Sequence, residues 1–322
     1  MTPLAGVRPH RKMQTGLTTS GFSNMTQTPD NENQFVVDLL TTLRNERFSP
    51  LAWVYFLRRS WERSCATARA NPSLKRSWTH VTLLIGVLAL AVLAASFIFE
   101  GPQTALRLLP GFLFCVAWQQ SDLFWHLGLN RQVGTGKLLP TAGVANSLTW
   151  LRGLEASFLL GRLFGGVSTP SGLALLVFLA GIATDMLDGQ IARRTKTQSK
   201  LGQIADGEAD FCLYLAITFI LIQNNVLPPW LGAVMLLRFL VPLLAALASY
   251  FLFAQPVRFG STTWGKYAGL AQCLYFLVLL APGQLSFFTK PVNLPLLIAT
   301  LLLLIVAPLA QIIENVPKGE RA

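Results

Sequence analysis

The sequence predicts an all-α fold, a polytopic membrane helix bundle, and three observations predict it. Long apolar runs recur along the chain and approach or exceed the roughly 20 residues that cross a bilayer as a helix. Hydrophobic residues make up 52% of the chain and charged ones only 13%, whereas a soluble domain carries about 25% charged residues. The polar stretches between the runs are short, so one large buried core does not account for them.

Residues 1–33 are rich in Thr, Asn, Gln, Ser and Gly, a composition that favours disorder. They lack the apolar core of a signal peptide. A short helix is expected over 34–45. Residues 50–70 read as an amphipathic helix, with Ser49 as its N-cap and Pro50 in its first turn. Trp53, Phe56, Leu57 and Trp61 follow helical spacing among Arg58, Arg59 and Arg63. A basic helix with aromatic residues on one side suits a membrane surface; packing on the protein itself is the plainer alternative.

Apolar runs follow at about 78–99, 105–129, 143–168, 170–190, 203–224, 229–254, 266–283 and 291–313. These predict two spans in 78–139, after an N-terminal extension over 1–77, and six spans in a core over 140–322. The third run is the least regular because it contains Arg152, Glu155 and Arg162. Charges inside a span are costly and face protein or a polar cavity.

The net charge is +11. The basic residues flank the apolar runs rather than clustering on a soluble surface, so anionic lipid headgroups, not nucleic acid, are the expected partner. Segment 1–77 holds 11 Lys and Arg, and further ones lie at 128–142, 191–202, 255–266 and in the tail. The alternate loops near 100–104, 165–172 and 225–230 have none. Eight spans put every basic segment on one side, so both termini and the 191–202 loop are expected in the cytoplasm. Cys65, Cys115, Cys212 and Cys273 show no metal-binding or disulfide spacing and read as small apolar fillers.

The informative stretch runs from Asp185 to Asp210. Asp185 and Asp188 are three residues apart and share a helix face; Asp206 and Asp210, four apart, share a face at the start of the next helix. The short loop between them makes the two helices antiparallel neighbours, so four carboxylates converge. Their repulsion calls for cations, and oxygen ligands suit two Mg²⁺ or Mn²⁺ ions. Two such ions can clamp the attacking and leaving oxygens of a phosphoryl displacement. Gly189, Ala192 and Gly202 leave room for close approach, and Arg193 is placed to bind phosphate.

This stretch reads Asp-x-x-Asp-Gly-x-x-Ala-Arg, eight residues, Gly, three residues, Asp, three residues, Asp. It resembles the signature of the CDP-alcohol phosphotransferase family at all eight fixed positions. At residue frequencies of roughly 6%, a given start would match by chance about once in 10¹⁰. Asn146-x-Leu148-Thr149-x-x-Arg152 is similar to the start of that family's first helix. The resemblance covers about 140–315 and implies a six-span core. It also implies that Asp185, Asp188, Asp206 and Asp210 hold the metals, with Asp210 as base toward the acceptor hydroxyl, and that Gly189, Ala192 and Arg193 contact the CDP moiety. The implied reaction takes a phosphatidyl group from CDP-diacylglycerol to a small or lipid alcohol and releases CMP, in phospholipid biosynthesis. An integral protein of the cell inner membrane and a homodimer are further expectations of the resemblance.

Weaker hints concern the acceptor. Arg238 lies in mid-span, and Gly265-Lys266 is followed by Gln272. Both resemble phosphatidylglycerophosphate and cardiolipin synthase-like members, where they would bind an anionic acceptor; Gly269 stands where that subgroup has Thr. Arg238 has a structural alternative, pairing with Glu155 or Asp122, and Lys266 an alternative as an interfacial anchor. Asp122 and His126 read as a local pair, and Glu208 as structural. A CDP-choline or CDP-ethanolamine transferase shares the signature. An ion transporter using intramembrane acids is a reading of another class, but transporter acids sit near the midplane.

Overall fold

The computed structural model describes residues 29–253 and 263–315. The polar N-terminus to 28, most of the 255–266 basic segment and the basic tail lie outside the described residues. Ten helices form among those described: α1 (Pro29–Asn45), α2 (Pro50–Ala70), α3 (Pro72–Glu100), α4 (Pro102–Trp125), α5 (Gly143–Phe164), α6 (Ser171–Thr195), α7 (Lys200–Gln223), α8 (Pro229–Phe253), α9 (Thr263–Leu280) and α10 (Ser286–Asn315). No strand appears among the described residues, only two isolated bridges.

Each apolar run falls on one of the helices α3 to α10. Four of these are long and apolar enough to cross a membrane by length and composition alone: α3, α6, α8 and α10. The other four are shorter or carry charges, as α5 does with Arg152, Glu155 and Arg162. The apolar side chains that face outward include Leu83, Val87 and Leu90 of α3, Leu244 of α8 and Ile305 of α10. A soluble monomer does not carry so broad an apolar surface; the chain is an integral membrane protein.

Prolines and caps set the helix starts. Ser49 accepts a hydrogen bond from the Ala52 N–H, with Pro50 in the first turn of α2, as expected from the sequence. Pro72 and Pro102 open α3 and α4, where a missing N–H costs nothing. The second apolar run stops short of its expected end: α4 closes at Trp125 and the Asp122–His126 pair forms in its last turn, 3.2 Å apart. Residues 130–139 then form a folded loop. It pairs with the α6–α7 loop through Val133 N–H to Gln198 O at 2.8 Å and Lys200 N–H to Arg131 O at 3.1 Å. Two of the basic segments therefore lie at the same end of the bundle.

The aromatic side of α2 does not face away from the protein. Trp53 and Phe56 lie 5.3 and 6.1 Å from Phe251 of α8, and Trp61 lies 5.2 Å from Phe124 of α4. The amphipathic pattern is spent partly on protein, and Leu51, Val54 and Leu57 remain exposed beside Arg58 and Arg59.

The described residues bury their apolar side chains in separate clusters. Residues of α5 to α10 form the largest, around Phe178, Tyr214, Ile217 and Phe276. A second cluster joins α3, α4, α5 and α7 through Ile85, Phe112, Trp150, Leu154 and Leu201. The crossing of α4 and α5 depends on Gly161, where a Cβ would stand 2.8 Å from the backbone N and Cα of Phe112. A backbone neighbour cannot swing aside as a side chain can. Gly161→Leu is therefore expected to lower the melting temperature in detergent by several degrees, in line with the roughly 1–3 kcal/mol of an overpacked contact. Gly86→Leu on α3, where nothing lies within 4 Å, is the matched control. Equal melting of the two variants would show that the α4–α5 contact is not a tight one.

Candidate active site

Helices α5, α6 and α7 build the site. The paired loops put the start of α5, the end of α6 and the start of α7 at one end of the bundle. The turn from α6 to α7 is short because Lys196 takes a left-handed conformation (φ 55°) and the Thr197 N–H returns to Ala192 O. Ser199 then caps α7 by accepting from the Gly202 N–H at 3.0 Å.

The four motif acids converge as the spacing predicts. Asp185, Asp206 and Asp210 each bring a carboxylate oxygen to within 4.8 Å of the others. Asp188 is set back in the wall, with 8% of its side chain exposed against 48% for Asp185. Its Oδ2 accepts from Thr149 Oγ1 at 2.9 Å and from Arg152 Nη2 at 3.1 Å.

Arg152 is the feature that reading the sequence missed. Its side chain is fully buried and its guanidinium faces all four acids. Nη1 bonds Asp185 and lies 3.0 Å from Asp210; Nη2 bonds Asp206 and Asp188. The sequence marks Arg152 as a costly charge within a span and as the last position of the Asn146-x-Leu148-Thr149-x-x-Arg152 resemblance, but assigns it no role at the acids. The signal was the spacing of Asn146, Thr149 and Arg152, three residues apart on one face of α5. That face backs the acids: Thr149 holds Asp188, Arg152 holds all four, and Asn146 packs on α7.

The remaining motif positions divide. Gly202 touches α5: a Cβ there would stand 2.6 Å from Asn146 Oδ1, so its small size has a packing cause. Arg193 is exposed one turn beyond Gly189, and its guanidinium lies over Gly189, 3.2 Å from where a Cβ would be. Ala192 is half-buried in the same turn.

Arg238 pairs with neither Glu155 nor Asp122. It lies over the rings of Phe239 and Tyr214, at 4.3 and 5.0 Å, and interacts electrostatically with Asp210. Its Nη1 is buried without a hydrogen-bond partner. Gly269 makes that position available, since a Cβ would meet Nη1 at 2.7 Å. Gln272, fully buried, donates to Met235 O and ties α9 to α8. Lys266 is exposed in the first turn of α9. Glu208 turns away from the acids toward Asp122, a structural neighbour as expected.

The donor set suits divalent cations. Three oxygen ligands from two helices lie close enough to share an ion, and oxygen-only sites favour Mg²⁺ or Mn²⁺. Four carboxylates and one guanidinium leave three negative charges close together, which two divalent cations would more than balance.

Two curated relatives match part of the chain. One, named probable cardiolipin synthase (CMP-forming), is from Drosophila melanogaster and is 46% identical over 68 residues, 21% of this chain and 20% of that protein. The other, named cardiolipin synthase (CMP-forming), is from Streptomyces coelicolor and is 40% identical over 75 residues, 23% of this chain and 34% of that protein. The chain thus aligns with about a third or less of each relative's length. No solved structure matches it. The model of the CDP-alcohol phosphatidyltransferase family matches residues 142–310, from the start of α5 into α10 and across every acid of the site, and the chain belongs to that family.

Proposed function

We propose that this enzyme transfers the phosphatidyl group of CDP-diacylglycerol to the hydroxyl of an anionic alcohol and releases CMP, as a step of phospholipid biosynthesis. The observation that carries the reading is the convergence of Asp185, Asp188, Asp206 and Asp210 on Arg152 within a chain of this family. The basic end of the bundle faces the cytoplasm by the distribution of Lys and Arg, and the inner membrane holds the protein.

Asp185, Asp206 and Asp210 would hold two divalent cations, with Asp188 fixed behind them by Thr149. When bound, the cations would offset charge on the transferring phosphate and align the attacking and leaving oxygens. Arg193, exposed beside Gly189, binds the phosphates of the CDP moiety by paired hydrogen bonds. The acceptor oxygen forms the new bond to the lipid-linked phosphorus as the bond to CMP breaks. Asp210 takes the hydroxyl proton.

Arg238 supports an anionic acceptor. A guanidinium with an unpartnered Nη1, held by two rings and close to Asp210, suits an anionic group carried by the acceptor alcohol. Of the acceptors with such a group, phosphatidylglycerol is favoured over glycerol 3-phosphate because both relatives carry the name cardiolipin synthase.

Three outcomes test this reading. Purified protein given CDP-diacylglycerol and a panel of alcohols should release CMP most rapidly with phosphatidylglycerol; chelation should stop the release and Mg²⁺ or Mn²⁺ should restore it. Full turnover after exhaustive chelation would overturn the metal assignment, and CMP release with choline-type lipids alone would overturn the acceptor. Asp210→Asn should lower kcat by about 10²–10⁴, the span of lost general-base catalysis, while donor binding survives; turnover near that of the unmodified enzyme would remove Asp210 as the base. Arg152→Gln leaves four facing carboxylates without their counter-charge, of which only Asp188 is buried. Its melting temperature should fall steeply in EDTA and recover in excess Mg²⁺. An equal fall in both conditions would mean that Arg152 serves packing alone.

A further inference from the structure

Toward the end of the bundle opposite the acids, two cavities lie side by side. One, of about 420 Å³, is lined by Gln103, Thr104 and Arg107 of α4, Arg162 of α5 and Ser168, with Glu100 at its edge. The other, of about 550 Å³, is mostly apolar and runs between α3, α5 and α6. Leu88, Val92 and Phe99 form one wall and Leu154, Phe158 and Val177 the other. Glu100 lines both, so the polar cavity and the apolar one lie side by side.

The charges of the polar chamber are uneven. Arg162 is spent: it pairs with Glu100 at 2.6 Å and donates to Thr169 and Ser168. Arg107 is exposed, one turn along from Gln103 and Thr104. Helix α4 begins there without a side-chain cap, and Gln103 and Thr104 of its first turn line the cavity. The chamber therefore carries a net positive charge. It is also out of pattern, since the loops at this end hold almost no Lys or Arg; Arg107 and Arg162 are two of the three basic residues near it, with Lys290.

The apolar chamber has the length of one leaflet. Leu88 to Glu100 is twelve residues of α3, about 18 Å of helix, against about 15 Å for half of a bilayer's hydrocarbon core. Toward the acids its lining on α5 runs through Glu155 and Leu154 to Leu151.

We propose that the two adjacent cavities together bind one anionic glycerophospholipid of the leaflet opposite the acid cluster. Its phosphate lies at Arg107 and the first turn of α4, and one acyl chain lies between α3 and the α5–α6 pair. An apolar cavity with a few converging polar groups at one end is the usual form of a small-molecule site. Half of this one is supplied by α3 and α4, which precede the residues matched by the family model. The site is separate from the reaction and does not depend on which alcohol is the acceptor.

The test compares full-length protein in micelles supplemented with dioleoyl phosphatidylglycerol or dioleoyl phosphatidylcholine, with retained lipids counted by native mass spectrometry. The unmodified protein should retain at least one more phosphatidylglycerol than Arg107→Gln, and should show little preference of this kind for phosphatidylcholine. Ala95→Phe, which fills the apolar chamber from α3, should lose the same lipid while CMP release persists. Identical phosphatidylglycerol counts for the unmodified protein and both variants would overturn the proposal. Equal retention of phosphatidylglycerol and phosphatidylcholine by the unmodified protein would overturn the assignment of an anionic lipid.

Discussion

The structure depends on one electrostatic problem, four carboxylates gathered around one buried guanidinium. Like charges brought this close repel. Arg152 answers part of that repulsion from a fully buried position with hydrogen bonds or close ion pairs to all four acids. Divalent cations would answer the rest. The two contributions are of different kinds: the guanidinium is tethered and always present, whereas cations come with solvent and substrate. A site supported in this way can hold its acids together before the reactants arrive.

Holding Arg152 there requires helix crossings that bring α5 against both α6 and α7. Asn146, Thr149 and Arg152 form one strip, and each acts on a different part of the site. Asn146 is itself buried within hydrogen-bond reach of Asn130, whose side-chain amide donates to Thr141 O. The folded loop before α5 is therefore tied to the same strip. Its pairing with the α6–α7 loop closes the arrangement from outside.

Much of this was legible in the sequence. Spacings of three and four residues put Asp185 with Asp188 and Asp206 with Asp210, because a helix turns in 3.6 residues. The apolar runs and the Ser49 cap depend on local composition and were equally readable. Arg152 was not, because a long side chain reaching between helices declares its partners only once the crossing is known. Gly202 was read as room for a ligand, but its space is taken by Asn146 of another helix. The aromatic side of α2 was read toward lipid. An amphipathic pattern states that a face is buried and does not say against what, and here Phe251, Phe124 and Trp125 cover part of it.

The helices before the family core bear on the site more than their position in the chain implies. Ile85 and Ala89 of α3 and Leu108 and Phe112 of α4 share a core with Trp150, Leu154, Leu201 and Ala205. Leu154 lies two residues beyond Arg152 on α5, and Ala205 immediately precedes Asp206 on α7. The extra helices thus back the two segments that carry the guanidinium and the second pair of acids. Their contact is close, since Gly161 admits the α4 backbone itself. Catalytic geometry tolerates displacements of well under 1 Å, and a shift of that size made far from the chemistry can cost about a hundredfold in rate. An addition that merely anchored the protein would not need to enter this core. By reaching the reverse side of α5 and α7, α3 and α4 become part of what holds Arg152 and Asp206 in register.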